Sequence, residues 1–245
     1  MRIKVKKTYK KKLKINTLLI FIIIIIQIIL GSYIYIWILD NYHSKELNET
    51  IQNKVIKIDK TDHNDKIDFN KLLGINKETV GWIEISNTNI NYPIVQTTNN
   101  DYYLNHLIDG SINNVGSIFL DYRNDKNFND MNTIIYGHNL KSGQMFSELS
   151  NILYGKADSK LINIYTKDKL MTYEIFSVYQ IEPEYYYTNI DIDECEYEYF
   201  LNTLKNRSVI YYDVEMDIKD KIITLSTCDS TGDERIVVHA KYIEN

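Results

Sequence analysis

Residues 220–243 read DKIITLSTCDSTGDERIVVHAKYI. Two alternating runs flank a polar loop. In the first, Ile223, Leu225 and Thr227 share one face of an extended chain and Thr224, Ser226 and Cys228 the other, because side chains alternate along a strand. Asp229, Ser230, Thr231, Gly232 and Asp233 make a turn-rich loop, and Arg235 opens the second run. The pattern predicts two strands meeting at one rim, with a thiol ending one and a guanidinium starting the next. A cysteine nucleophile acts as a thiolate and needs a base or cation nearby. An arginine there can donate hydrogen bonds to an oxyanion. A buried small residue or half of a disulfide fits the same spacing, with Arg235 in a rim ion pair to Asp229 or Glu234.

The period of two extends outward from this stretch. GWIEI, NINYPIVQ, GSIFLDY, NTIIYGH, KLINIYT, LMTYEIFSVYQI and SVIYY precede it, separated by Asn, Asp and Gly. Together with the two runs above they predict about nine strands and an all-β barrel or sandwich. TYEIFSVYQI is long enough for a bent strand shared by two parts of a barrel. Helical interludes are expected at Tyr102–Leu107, Met145–Leu153 and Asp193–Asn206. Asp68–Leu73 reads as a helix with Asp68 as N-cap and Gly74 as its stop.

The N-terminus has a different character. MRIKVKKTYKKKLK carries eight Lys or Arg and no acid. Leu18 to Leu39 then form twenty-two residues without a charge, interrupted only by Gln27 among strongly polar residues. At about 1.5 Å per residue this spans the ~30 Å hydrocarbon core. The run is longer than a signal-peptide core and no Ala-x-Ala follows it. The expected organisation is a cytoplasmic basic tail (1–14), a transmembrane signal anchor (15–39), a stalk or N-terminal helix (40–65) and an extracellular domain (66–245). In the stalk, Leu47, Ile51 and Val55 recur at helical spacing, predicting a short amphipathic helix.

The net charge is −5 overall, and removing the eight N-terminal cations leaves −13 from Asp40 onward. That argues against nucleic acid, which needs a basic footprint. There is no P-loop, GxGxxG, CxxC, HExxH or EF-hand loop. Two cysteines make no disulfide framework, although a Cys195–Cys228 bridge is open. Cys195 itself reads as a small, partly buried helical residue.

A base must come from five histidines. His43 and His63 lie in the polar N-terminal region, and His106 follows an expected helix. His138 leaves a strand in NTIIYGHNL just after Gly137, where a rigid sheet hands over to a loop. His239 is the rival. It shares the strand face of Arg235 but lies four residues on, about 13 Å away.

TLSTC, YGHN and ERIVVHAK, in the order His138, Cys228, Arg235, resemble the signature of sortases, membrane-anchored cysteine transpeptidases of Gram-positive cell surfaces. DFNKLLGINKETVGWIEI, YPIVQ, GSIFLDYRN and the helix before SVIYYDVEM resemble class B in particular, over roughly Ile67 to Ile243. The resemblance implies a closed eight-stranded sortase-type β-barrel, mainly β with peripheral helices: N-terminal helices and a helix before the penultimate strand pair. It implies catalysis by His138, Cys228 and Arg235. It also implies substrate binding by Asn100, Leu104, Tyr187 (or its neighbour Tyr186), Ser226 and Asp229. No cofactor or metal is implied. The partners implied are surface proteins with a C-terminal sorting signal, cleaved after Thr, and an amine of a peptidoglycan precursor. Anchoring would be single-pass and type II. Two other activities fit the same scaffold: a pilus-polymerising sortase, and a non-catalytic anchored wall-binding module. His239 stands where relatives are expected to carry an aliphatic residue.

Overall fold

Nothing between Asp40 and Val55 breaks a helix, since the stretch holds neither Pro nor Gly. The computed structural model, which describes residues 2–57, 66–184, 186–228 and 234–243, accordingly has one helix, α1 (Arg2–Val55). The expected separate stalk helix is its final turns. The chain divides into two units, residues 1–43 and 44–245. In the first, every large apolar side chain from Leu18 to Leu39 is exposed, on a helix long and apolar enough to cross a bilayer. In the second, Ile51 and Val55 are buried with Leu72 and Trp82, on the face their spacing predicts.

Two short strands, β1 (Ile56–Lys57) and β2 (Lys66–Ile67), pair antiparallel after α1. Helix α2 (Phe69–Ile75) starts at its expected cap, the Asp68 carboxylate accepting from Lys71 N at 3.2 Å. It does not stop at Gly74. Asn76 ends it with an extended backbone, while its side chain donates to Ile108 O and Tyr103 Oη and accepts from Glu78 N.

Eight strands close a barrel. They are β3 (Thr79–Ile85), β4 (Asn91–Val95), β5 (Ile118–Leu120), β6 (Asn132–His138), β7 (Leu161–Tyr165), β8 (Leu170–Ile181), β9 (Ile222–Cys228) and β10 (Arg235–Ile243). Their order is β10-β8-β7-β3-β4-β5-β6-β9, closed on itself, which leaves no open edge. Alternation fills the barrel: Ile83, Ile85, Ile135, Ile162, Ile164, Ile175, Ile223, Leu225 and Val238 meet inside. Strand β8 is the expected long bent strand. It pairs with both β7 and β10, and the register slips beside Phe176, opposite His239/Ala240.

SVIYY, expected as a strand, is irregular. It contributes one main-chain bond, Val209 N to Val178 O at 2.9 Å. Ser208 Oγ accepts from Val178 N and donates to Ile210 O, which turns the chain away and leaves Val209 and Tyr211 exposed. Helix α3 (Leu149–Leu153) packs on the main core. Helix α4 (Glu194–Asn206) lays Tyr197, Phe200, Leu201 and Leu204 on the outer face of β8 and β10, over Phe176, Tyr179 and Val237.

Candidate active site

Two parallel strands that sit side by side end at the same rim. Strands β6 and β9 are such a pair, and their register sets His138 opposite Cys228, the last residue of each. Neighbouring strands lie about 4.8 Å apart. Strand β10 runs antiparallel on the other edge of β9, with Val238 opposite Leu225 and Val237 opposite Ser226. That ladder ends at Val237, and Arg235 opens β10 two residues before it, on the same strand face as Val237. Ile236 N donates to Thr227 Oγ1 at 2.9 Å and keeps this end of the pair together. His138 and Cys228 thus hold one level on adjacent strands, and Arg235 opens the strand on the other side of β9. The Cys228 side chain and Asp229 lie outside the described residues, as does His63.

His138 is half-buried, and its Nε2 is 2.7 Å from the Leu104 carbonyl. A carbonyl only accepts, so Nε2 carries a proton. Leu104 ends a 3-10 turn, Tyr102–Leu104, held from beneath by buried Tyr103. The Tyr103 hydroxyl donates to Glu78 at 2.5 Å and accepts from Asn76 Nδ2 at 2.9 Å. Arg235 is also half-buried, and its Nη1 donates to Thr227 O at 2.9 Å. Among the described residues it has no ion-pair partner, since Glu234 accepts from Gln180 instead. A guanidinium has five N–H donors, so one main-chain bond can orient it and still leave donors for an oxyanion.

His239 is fully buried. Thr224 Oγ1 spends its single proton on Asn132 Oδ1 at 2.6 Å, so at 2.9 Å it accepts from His239 Nδ1. His239 Nε2 then accepts from the Tyr179 hydroxyl at 2.9 Å. Burial, with the Arg207 charge added, pushes the imidazole down to about 3. A doubly bonded ring with no exposed surface has no direct path for proton exchange with a substrate. Of the other histidines, His43 is exposed and His106 stacks on Tyr102.

Of the expected substrate residues, Asn100, Leu104, Tyr187 and Ser226 are each engaged within the protein. Asn100 Nδ2 donates to Asp121, and its Oδ1 accepts from Tyr122 N. Asp121 is buried and held by two bonds from the Arg123 guanidinium and one from Tyr136 Oη. Burial pushes that carboxyl up, but the Arg123 bonds and charge outweigh it and hold it below the usual range. Leu104 presents its carbonyl to His138. Tyr187 and Ser226 are buried and hydroxyl-bonded at 3.1 Å, beneath the surface. Tyr186 is the exposed neighbour, its ring on Phe200 and under Arg207. Cys195 is a free thiol and exposed, contrary to the partial burial expected of it.

Two parts of the site carried no signal in the sequence. Asn132 opens β6, and its Nδ2 donates to both Tyr187 O and Asn189 O. Arg123 Nη2 donates to Thr188 O between them. Three successive carbonyls of the second 3-10 turn, Tyr186–Thr188 and the residue after it, are therefore held by the barrel. Only the fold brings Arg123 and Asn132 to that turn.

Residues 83–243 match the family description of a sortase domain. Sortase B of Staphylococcus aureus is 35% identical over 238 residues, 93% of this chain and 96% of that protein. The chain is a class B sortase. Sortase B of Listeria monocytogenes is 41% identical over 175 residues, 69% of this chain and 71% of that protein. The crystal structure of sortase B from Bacillus anthracis superposes with a TM-score of 0.74 at 35% identity, covering 85% of this chain and all of that one. This sortase accordingly has the family's closed eight-stranded barrel with helices and its activity, cysteine transpeptidation of proteins that bear a sorting signal.

Proposed function

We propose that Cys228 is the nucleophile of this sortase, His138 its acid and base, and Arg235 the donor to the oxyanion. The observation that carries the reading is the register of β6 and β9, which pairs His138 with Cys228, while the Arg235 guanidinium is bonded to Thr227 O, the residue before Cys228. The Cys228 thiolate adds to the carbonyl carbon of a Thr in the sorting signal. Arg235 donates to the tetrahedral oxyanion. Imidazolium His138 protonates the departing amine as the C–N bond breaks, leaving a thioester. An amine of a peptidoglycan precursor then adds to the thioester carbonyl and loses its proton to His138 Nδ1. The C–S bond breaks and returns the thiolate. Two acyl transfers replace one hard exchange.

The test is turnover of an NPxTx or SPxTG peptide by the full chain in detergent, with hydroxylamine as acceptor. The expected product is a hydroxamate on the Thr end, with a thioacyl adduct on Cys228 by mass spectrometry. Cys228→Ala should abolish both, and His138→Ala should lower turnover by several orders of magnitude. Full turnover in Cys228→Ala would sink the nucleophile. A normal rate in His138→Ala with a loss in His239→Ala would reverse the choice of base.

The basic flank and apolar run of α1 support a type II anchor with residues 1–14 in the cytoplasm, because Lys and Arg are retained inside. The exposed thiol of Cys195 offers the check. In a Cys228→Ala background, a membrane-impermeant maleimide should label Cys195 on intact cells. Labelling only after lysis would reverse the orientation.

A further inference from the structure

The bond between His138 and Leu104 depends on a close approach at a third residue. Gly116 precedes β5 and has φ +63°. Its neighbour Ser117 donates its N–H to Tyr103 O at 2.9 Å, which lays the segment against the 3-10 turn. A Cβ at Gly116 would stand 2.6 Å from Tyr103 O, 2.7 Å from Leu104 O and 3.0 Å from His138 Cδ2. Two of these neighbours are main-chain oxygens, and the third is the ring carbon beside Nε2. None is the loose end of a flexible side chain. The Tyr103 carbonyl is tied to Ser117, and the Tyr103 ring is buried and tied to Glu78 and Asn76. A methyl group here is accommodated only by displacing the Leu104 carbonyl or turning the His138 ring.

We propose that Gly116 is a positioning residue for His138. Its missing Cβ lets the Leu104 carbonyl reach Nε2, which fixes the Nε2–H tautomer and commits Nδ1 to the proton exchange at the Cys228 rim. The proposal rests on His138 as the acid and base. Alanine at Gly116 moves the acceptor and ring by tenths of an ångström, at a site where a misplacement of about 1 Å can cost ~100-fold in rate.

Gly110 supplies the control. It lies in the same connection with φ +83°, and a Cβ there meets nothing closer than Tyr102 Oη at 3.9 Å. Gly110→Ala and Gly116→Ala carry a similar left-handed backbone cost, but only Gly116→Ala crowds the histidine. In the full chain in detergent, Gly116→Ala is expected to lower kcat for peptide hydroxylaminolysis ~10- to 100-fold with KM within ~3-fold, and Gly110→Ala to leave kcat within ~2-fold. Imidazole nitrogen shifts of the histidine-labelled chain, assigned with His138→Gln, are expected to show Nε2–H at His138 in the wild type and a tautomer mixture in Gly116→Ala.

Equal kcat in the two alanine variants would overturn the proposal. So would a neutral His138 ring in the wild type that carries its proton on Nδ1 and not on Nε2, a measurement that stands even if Gly116→Ala fails to fold. The tautomer is read without turnover, so a normal rate in His138→Gln beside an intact Nε2–H signal would refute the assignment of the base and not the packing.

Discussion

His138 and His239 are the same side chain in opposite settings, and the difference is a matter of which strand position each occupies. His138 ends β6 at the rim, half-buried, with one nitrogen on a carbonyl and the ring at the Cys228 level. His239 lies four residues inside β10, fully buried between Tyr179 and Thr224. The motif YGHN singles out the first in the sequence. The burial of the second shows only once α4 is laid across the barrel, because alternation alone puts His239 on the same face as Arg235. Burial has a consequence for stability. The His239 imidazole is lowered to about 3 in the folded chain against 6.5 as its ordinary value. The unfolded chain therefore binds the extra proton first. The contribution is complete above pH 6.5 and is lost as pH falls through the window between 6.5 and about 3. At 1.36 kcal/mol per pH unit, the step from pH 6.5 to 5 costs about 2 kcal/mol. Urea unfolding at those two pH values should show this loss, and His239→Gln should remove the pH dependence while lowering stability at both. An unchanged slope in the variant would place the acid sensitivity elsewhere.

At the scale of elements, alternation predicted the barrel strands and missed what side chains do to main chain. SVIYY alternates as well as any strand, yet Ser208 bonds to both Val178 N and Ile210 O and bends the chain after one ladder bond. Gly74 looks like a helix stop, but Asn76 has the side-chain bonds that make one. Asn132 is the same kind of residue at the site. A directed chain runs from Tyr179 through His239 and Thr224 to Asn132, and ends on the Tyr187 and Asn189 carbonyls. Nothing in NTIIYGH marks its first residue as the clamp on a turn more than fifty positions away. Asn132→Ala leaves two carbonyls without their donor and Thr224 without its acceptor, all at or near the interior. Buried unsatisfied groups cost about 1–3 kcal/mol each, so a loss of about 3 kcal/mol in urea unfolding is expected. The Asn189 amide, bonded to Tyr186 O, should exchange faster with deuterium. If the turn beside Ser226 helps to seat the sorting peptide, KM rises more than kcat falls. An unaltered Asn189 exchange rate would show that the turn holds itself.

In the molecule as a whole, the boundary between the two units along the chain is where sequence and structure differ most usefully. Composition draws a boundary at Leu39, where the apolar run ends. The helix continues to Val55, and the second unit begins at Ser44, inside the helix. The last three turns of α1 therefore belong to the catalytic unit. Ile51 and Val55 are buried to 2% and 0% exposure against Leu72, Trp82 and Phe119. Gln52 Nε2 donates to Asn91 O on β4, and Val55 O accepts from Asp68 N at the start of α2. Burying one large aliphatic side chain is worth about 1.5–3 kcal/mol, so Ile51 and Val55 together contribute about 3–6 kcal/mol. That is a large share of a typical domain stability of ~5–15 kcal/mol. A chain cut before Ser44 should keep this contact and unfold in urea close to where the barrel of the full chain does. A chain cut before Ile56 exposes Leu72 and Trp82 and should unfold at a markedly lower urea concentration. A quenchable shift in Trp82 fluorescence should report the exposure under native conditions. Equal midpoints for the two truncations would mean that the helix merely carries the barrel and does not form part of its core.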